Sequence, residues 1–241
     1  MKHALTWPLA MDFNNAPNGE GREKHHIAAI KAAQVAGVKH IYYTSLAFGS
    51  NSKSGVMRAH LRTEAFLRSL KDIKYTIIRE GLYNESWPLY LGYYDLNKDD
   101  RNEIILAGDG PVSWTSISDL GLGTALVIAE NSEKYAGQTF YLSSEESARL
   151  EEIAQLVSTV KGKEIVPMIV SPEQYVEYYR QRGREKSSVE WWSSSYAALK
   201  ADECHIQESM LNTLLASRGR KAKPIEQTVK EMLSMKKSDV A

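Results

Sequence analysis

The sequence holds one cysteine, Cys204, among 241 residues, which excludes a disulfide framework and any metal site built on several thiolates. It has no excess charge of either sign: 30 Lys and Arg stand against 30 Asp and Glu, a formal net charge of +0. General nucleic-acid binders carry a basic surplus, so no direct nucleic-acid contact is expected. There is no run of about 18 apolar residues to span a bilayer. Nor does a polybasic cluster adjoin an apolar helix, so no membrane-surface role is expected. The opening Met1–Pro8 stretch, interrupted by Pro8 and then Asp12, reads as too short and broken for a secretory signal. With 43% hydrophobic and 25% charged residues, the expectation is an ordinary globular protein of the cytoplasm.

Several catalytic signatures are also missing. No G-x-S-x-G elbow is present. Gly162-Lys163-Glu164 lacks the first glycine and the hydroxyl of a phosphate loop. Gly108-Asp109-Gly110 and Gly121-Leu122-Gly123 lack the third glycine of the dinucleotide fingerprint. His25 and His26 are neighbours on a predicted helix and point about 100° apart, a poor geometry for one metal ion, so none is expected.

What is present is alternation. Residues 1–22, punctuated by Pro8, Pro17, Gly19 and Gly21, read as irregular. From about Glu23, Ile27, Ile30 and Ala33 recur at helical spacing, and Gly37 is placed for a left-handed cap. Val38–Thr44 is rich in β-branched and aromatic residues and reads as a strand. The unit repeats with a helix over Met57–Leu70 and a strand over Lys74–Arg79. Short strands follow near Glu103–Ala107 and Val112–Ile117, then a helix from Leu120 to about Glu130 with Asp119 as its N-cap, and a strand at Gln138–Leu142. After Ser147 come a helix over Leu150–Val160, a strand over Glu164–Val170 and helices beginning at Pro172, broken at Gly183 and Gly219. The tail Lys236–Asp239 reads as frayed. Helices alternating with nearly continuous apolar strands predict an α/β fold with a parallel sheet covered on both faces.

In such sheets ligands bind beyond the C-terminal strand ends. Two ends stand out: Tyr43-Thr44-Ser45-Leu46-Ala47-Phe48-Gly49 and Arg79-Glu80-Gly81-Leu82-Tyr83-Asn84-Glu85-Ser86, each passing abruptly from apolar strand to small or polar residues. Ordinary loop chemistry accounts for this pattern equally well.

These segments carry a resemblance. Ala36-Gly37-Val38-Lys39-His40-Ile41-Tyr42-Tyr43-Thr44-Ser45, His60-x-x-Thr63-Glu64 and Tyr75–Glu85 resemble the NmrA-like proteins, atypical short-chain dehydrogenases related to the type 2 quinone oxidoreductases. Trp114–Gly121, Leu150–Ala154 and Val170–Gln174 are similar to later segments of the same family, so the likeness runs from about Gly19 to Leu233. Family members open with a strand and a glycine turn that holds the cofactor diphosphate, followed by two further strands. Residues 1–18 contain no glycine. The resemblance therefore implies an incomplete Rossmann-like doubly wound parallel sheet with a smaller, mostly helical C-terminal substrate region. Residues 1–146 would form the residual NAD(P)-binding domain and 147–241 the cap. On this reading the strand beside the gap becomes an edge with unpaired backbone groups, to be covered by a second copy or a protein partner.

The resemblance also implies roles. Thr44, Ser45, Leu46, His60, Gly81, Leu82, Tyr83 and Asn84 would border the nicotinamide of NADP(H) or NAD(H). Ser45 and His60 would be catalytic, though a turn-capping serine and a surface helix histidine are equally ordinary readings. Phe48, Tyr83, Trp87, Tyr90 and Trp114 would line the pocket of a small, flat, apolar substrate, or else form core. Tyr93 and Tyr94, with Trp191, Trp192 and Tyr196 of the cap, are open to the same two readings, and Tyr42 and Tyr43 read as packing residues. The Tyr-x-x-x-Lys pair of ordinary short-chain dehydrogenases is absent between Ser45 and Tyr75. Three functions follow: a quinone or carbonyl reductase, a dinucleotide-sensing regulator acting through a protein partner, or a remnant using the old cleft. Without the glycine turn, dinucleotide binding is expected to be weak or absent.

Overall fold

The computed structural model describes residues 3–5 and 20–234. Four parallel strands make the main sheet in the order β1-β2-β3-β5: β1 (His3–Leu5), β2 (His40–Leu46), β3 (Lys74–Glu80) and β5 (Thr139–Leu142). Their register sets Leu46 of β2 beside Glu80 of β3, and Glu80 beside Leu142 of β5. A second sheet joins β4 (Glu103–Leu106) in parallel to β6 (Val166–Ile169), bridging residues on both sides of position 146.

Alternation along the strands assigns the two faces. Ile41, Tyr43 and Ile77 point to α1 (Glu20–Val35) and α2 (Gly55–Ser69), where they pack with Ile30, Leu67 and Ile73. Tyr42, Ile78 and Leu142 point the other way, to α4 (Ile117–Ala129) and α8 (Leu211–Ala216), packing with Leu120, Val127, Leu211 and Leu215. A third and larger cluster gathers α3 (Trp87–Tyr90), β4, α5 (Leu150–Lys161), α6 (Pro172–Arg180), α7 (Lys186–Leu199) and α9 (Ile225–Ser234).

The left-handed cap at Gly37 is present (φ +75°), as are left-handed Gly183 and Gly219 at the helical breaks. Pro172 opens α6 behind an N-cap at Ser171. Elsewhere the structure corrects the sequence expectations. The stretch expected to be irregular contains β1, paired with His40–Tyr42, and α1 already begins at Glu20. The expected sheet edge, β2, therefore has a neighbour over its first three residues. The rest of 1–19 and the tail Lys236–Asp239 lie outside the described residues. Val112–Ile117 is not a strand, because its amides go to separate partners: Ser113 to Cys204, Trp114 to Val112 and Thr115 to Leu82. The N-cap of α4 is Ser116, whose hydroxyl accepts the Asp119 amide at 3.1 Å; Asp119 lies inside the first turn.

Of the glycine pairs without a third glycine, Gly108 and Gly110 have a packing explanation, whereas a Cβ on Gly121 would meet nothing within 4 Å. A Cβ on Gly110 would lie 1.9 Å from the Leu199 carbonyl oxygen, and one on Gly108 2.9 Å from that of Tyr196. Asp109 between them caps α5 by accepting the Leu150 and Glu151 amides.

Candidate active site

The two strand ends singled out by sequence lie side by side, β2 and β3 being paired along their whole length. Between them and α2 run two buried polar networks on one face of the sheet. His60 and Glu64, one helical turn apart on α2, provide one group to each.

In the first network the Tyr43 hydroxyl lies 2.7 Å from His60 Nδ1 and 3.0 Å from His26 Nδ1, and His26 Nδ1 also approaches the Thr63 hydroxyl at 3.1 Å. His60 is only 8% exposed, so it is not a surface histidine. Burial, followed by repulsion from His26 and Arg22, pushes its pKa well below the usual imidazole value. Burial and the nearby Arg22 and His25 bring His26 to about 4. Both rings are neutral at neutral pH, which makes His60 a poor proton donor.

In the second network Glu64 is fully buried. Its carboxylate accepts from the Ser45 hydroxyl (2.7 Å), Arg79 Nε (3.0 Å), Arg79 Nη2 (2.8 Å) and Arg68 Nη2 (3.0 Å). Burial pushes this carboxyl up, but the bonds from Arg79 and Ser45 and the Arg79 charge outweigh it and hold the pKa below the usual carboxylate value. Arg79 Nη1 continues to the Ser50 hydroxyl (3.0 Å) and the Tyr141 hydroxyl (2.9 Å), pinning the loop after β2. Sequence reasoning missed the Glu64–Arg79 pair. Its signal was a charged residue within an apolar strand that is covered on both faces.

The opposite face differs. Thr44, Leu46, Glu80 and Tyr83 are half-buried, so the strand ends are partly open there. The Glu80 carboxylate accepts from the Thr124 hydroxyl of α4 at 2.8 Å. Burial raises the Glu80 pKa, and the neighbouring Thr124 and Tyr83 hydroxyls offset only part of the rise. Burial and the Glu80 carboxylate push the Tyr83 phenol up to about 12.

The remaining sequence candidates lie deeper. A Cβ on Gly81 would fall 2.3 Å from Thr115 Oγ1 and 2.6 Å from Ser143 Oγ, so the close approach that this glycine permits is to its own neighbours. Leu82 is buried. Asn84 is completely buried, and its amide donates to the Lys223 carbonyl (3.1 Å) and the Thr228 hydroxyl (3.0 Å), fastening the start of α9. Its Oδ1 is buried with no hydrogen-bond partner. Phe48, Trp87, Tyr90 and Trp114 are interior, with Tyr90 edge-on to Trp114 at 5.4 Å and Trp114 Nε1 donating to the Ala148 carbonyl. Trp192 and Tyr196 belong to the same core, Trp192 lying 4.9 Å from Tyr90. As placed, these rings bury their surfaces against one another. Among the described residues no group of three metal-ligating side chains converges, and no helix is long and apolar enough to cross a membrane.

No family model matches the chain. It is 27% identical over 225 residues to an NmrA-like family domain-containing oxidoreductase of Aspergillus flavus, a match covering 91% of this chain and 70% of that protein. The chain is a homologue of this NmrA-like oxidoreductase. Quinone oxidoreductase 2 of Escherichia coli is 31% identical over 144 residues, 60% of this chain and 48% of that protein. Among solved structures, the triphenylmethane reductase of Citrobacter sp. complexed with NADP(H) matches with TM-score 0.74 and 28% identity over 95% of this chain and 76% of that one. An NADPH-dependent quinone oxidoreductase of E. coli complexed with NADPH shares the fold with TM-score 0.76 at 22% identity, over 96% and 76% of the two chains. The α/β architecture is thus that of NAD(P)-binding reductases; two curated relatives are oxidoreductases, and a third, 21% identical over 162 residues, is the prestalk A differentiation protein A of Dictyostelium discoideum.

Proposed function

We propose that the chain is an NAD(P)H-dependent reductase of small, flat acceptors of the quinone or carbonyl class, working at the C-terminal ends of β2 and β3. The observation that carries this reading is the half-open line Thr44, Leu46, Glu80 and Tyr83 at the place where open α/β sheets take their ligands. It gains support from the reductases among the relatives.

These residues fit the nicotinamide half of a dinucleotide: a hydroxyl from Thr44, an apolar wall from Leu46 and an aromatic ring from Tyr83 stand at one edge. When bound, a reduced nicotinamide supplies a hydride. The chain supplies placement and a rigid floor. Ser45, held by Glu64, and His60, held by Tyr43, make up that floor as buried supports beneath the strand ends. The acceptor stays small because the neighbouring aromatics are packed together.

The test is titration with NADPH, read by tryptophan fluorescence and by melting temperature, followed by NADPH oxidation with quinones. With no glycine turn to hold the diphosphate, weak but saturable binding that raises the melting temperature at high NADPH, with quinone-dependent oxidation, is expected. Absence of binding at millimolar NADPH overturns the reading. It would favour the remnant alternative, in which the chain uses the old cleft without a dinucleotide. Binding without turnover would return a sensing role, which the relatives do not favour.

A further inference from the structure

Residues 47–54 connect the end of β2 to α2, and one row of the sheet holds much of this loop. Ser45, Arg79 and Tyr141 stand side by side on β2, β3 and β5. We propose that Arg79 and Tyr141 are positioning residues that set loop 47–54 as the acceptor-side wall of the site and so determine which acceptors fit. The assignment rests on the reductase reading above and names a determinant of its substrate size.

The geometry fixes the direction of each contact. A guanidinium is planar, and Arg79 commits one edge of it to Glu64, Nε at 3.0 Å and Nη2 at 2.8 Å. Nη1 then projects from the far edge, where it donates to the Ser50 hydroxyl at 3.0 Å and the Tyr141 hydroxyl at 2.9 Å. The Tyr141 hydroxyl in turn donates to the Phe48 carbonyl at 3.4 Å. The Ala47 amide continues the sheet by donating to the Glu80 carbonyl at 2.8 Å. Ala47, Phe48 and Ser50 are therefore all bound from the sheet side.

The C-terminal half holds the other end of the loop. Glu203 Oε1 accepts the Lys53 amide at 3.0 Å, and the Ser194 hydroxyl of α7 accepts the Gly55 amide at 2.9 Å. The Glu203 side chain also lies against Gly49, where a Cβ would sit 3.4 Å from its Cγ. Phe48 is what the loop's position controls. Its ring is buried in the large cluster with Trp87, Tyr90 and Trp114, and Leu46, the apolar wall of the proposed site, packs against the same cluster. With the loop clamped, the Phe48 ring keeps that interior closed behind the strand ends. A loosened loop carries the ring with it, costing a small acceptor its fit and making room for a larger one. Misplacement by about 1 Å is enough to cost up to about 100-fold in reactivity.

Tyr141→Phe and Ser50→Ala each remove one contact to the clamp and leave the Glu64–Arg79 pair intact, so neither strands a buried charge. The first readout needs no cofactor: in hydrogen exchange followed by mass spectrometry, both variants should speed the amides of 47–53 while those of α2 and β3 keep their rates. In NADPH oxidation, both should raise KM for benzoquinone by about 10-fold. Both should also shift the ratio of kcat/KM for phenanthrenequinone over benzoquinone by about 5-fold or more toward the larger ring. A merely structural role would lower both rates together and leave that ratio unmoved. Faster exchange with an unchanged ratio shows a clamped loop that does not wall the acceptor, and overturns the proposal while the reductase reading stands. Unchanged exchange in both variants shows that the row does not hold the loop, and overturns it equally. If wild type neither binds nor oxidises NADPH, the reductase reading fails and the acceptor wall falls with it.

Discussion

Glu64 shows how one side chain decides what its neighbours can do. Its carboxylate has no solvent and four charged or hydroxyl donors, so it is a satisfied buried anion. Removing Arg79 would leave that anion without its main counterion. Arg79→Leu should therefore cost about 3–5 kcal/mol, measured by urea unfolding; a loss under 1 kcal/mol would mean that Arg68 or water replaces the guanidinium. The same reasoning changes what His60 tells. Truncating it leaves the Tyr43 hydroxyl with only its longer contact to His26 and opens a hole. His60→Ala should thus destabilise the fold by about 1–3 kcal/mol, and a loss of activity in that variant alone does not mark a catalytic group. An unchanged melting temperature in His60→Ala would show that the Tyr43 bond carries no weight.

At the scale of elements, the C-terminal segment is held by buried polar side chains at the starts of other elements. The Asp119 carboxylate accepts the Lys223 amide at 2.7 Å and the Arg220 guanidinium at 3.2 Å, while Asn84 holds the Lys223 carbonyl. Asp119→Ala should speed amide hydrogen exchange across α9 (Ile225–Ser234) ahead of the β2–β3 core, a selective effect that general destabilisation would not give. Alternating period and glycine caps made the long elements readable: α2, β3, α5 and α6 stand within two residues of where their patterns put them. The failures come from bonds that sequence does not announce. Val112–Ile117 has strand residues but scatters its amides over Cys204, Val112 and Leu82, and α4 starts early because Ser116, not Asp119, meets the free amides of the first turn. The candidate site was half legible. Its place at two strand ends followed from composition, whereas the pairing of Ser45 with Glu64 and of His60 with Tyr43 depends on how α2 lies on the sheet. Glu80 gave one cue, a carboxylate closing an apolar strand.

For the whole molecule, burying two neutral histidines against the sheet ties global stability to pH. The unfolded chain takes up protons near the ordinary imidazole value of 6.5, whereas folded His26 resists until about 4 and burial holds folded His60 well below the ordinary value too. The unfolded state therefore holds more protons below that value, and stability falls as pH drops from about 6.5 toward 4. Each histidine contributes at most about 1.4 kcal/mol per pH unit in that window, less for His26 because it is partly exposed. Glu80 works against this trend, since its raised pKa makes the folded state bind a proton before the unfolded state does. Glu64 joins the loss only at lower pH, because its depressed pKa keeps it charged in the fold after the unfolded carboxylate protonates. The melting temperature should accordingly drop by several degrees between pH 7 and pH 5, at about 2–4 °C per kcal/mol for a chain of this size. His60→Gln keeps a hydrogen-bonding group beside Tyr43 but removes the titration, so its melting temperature should depend less on pH over the same interval. A slope in His60→Gln equal to that of wild type would place the acid sensitivity elsewhere and end the argument that the buried His26–Tyr43–His60 chain sets it.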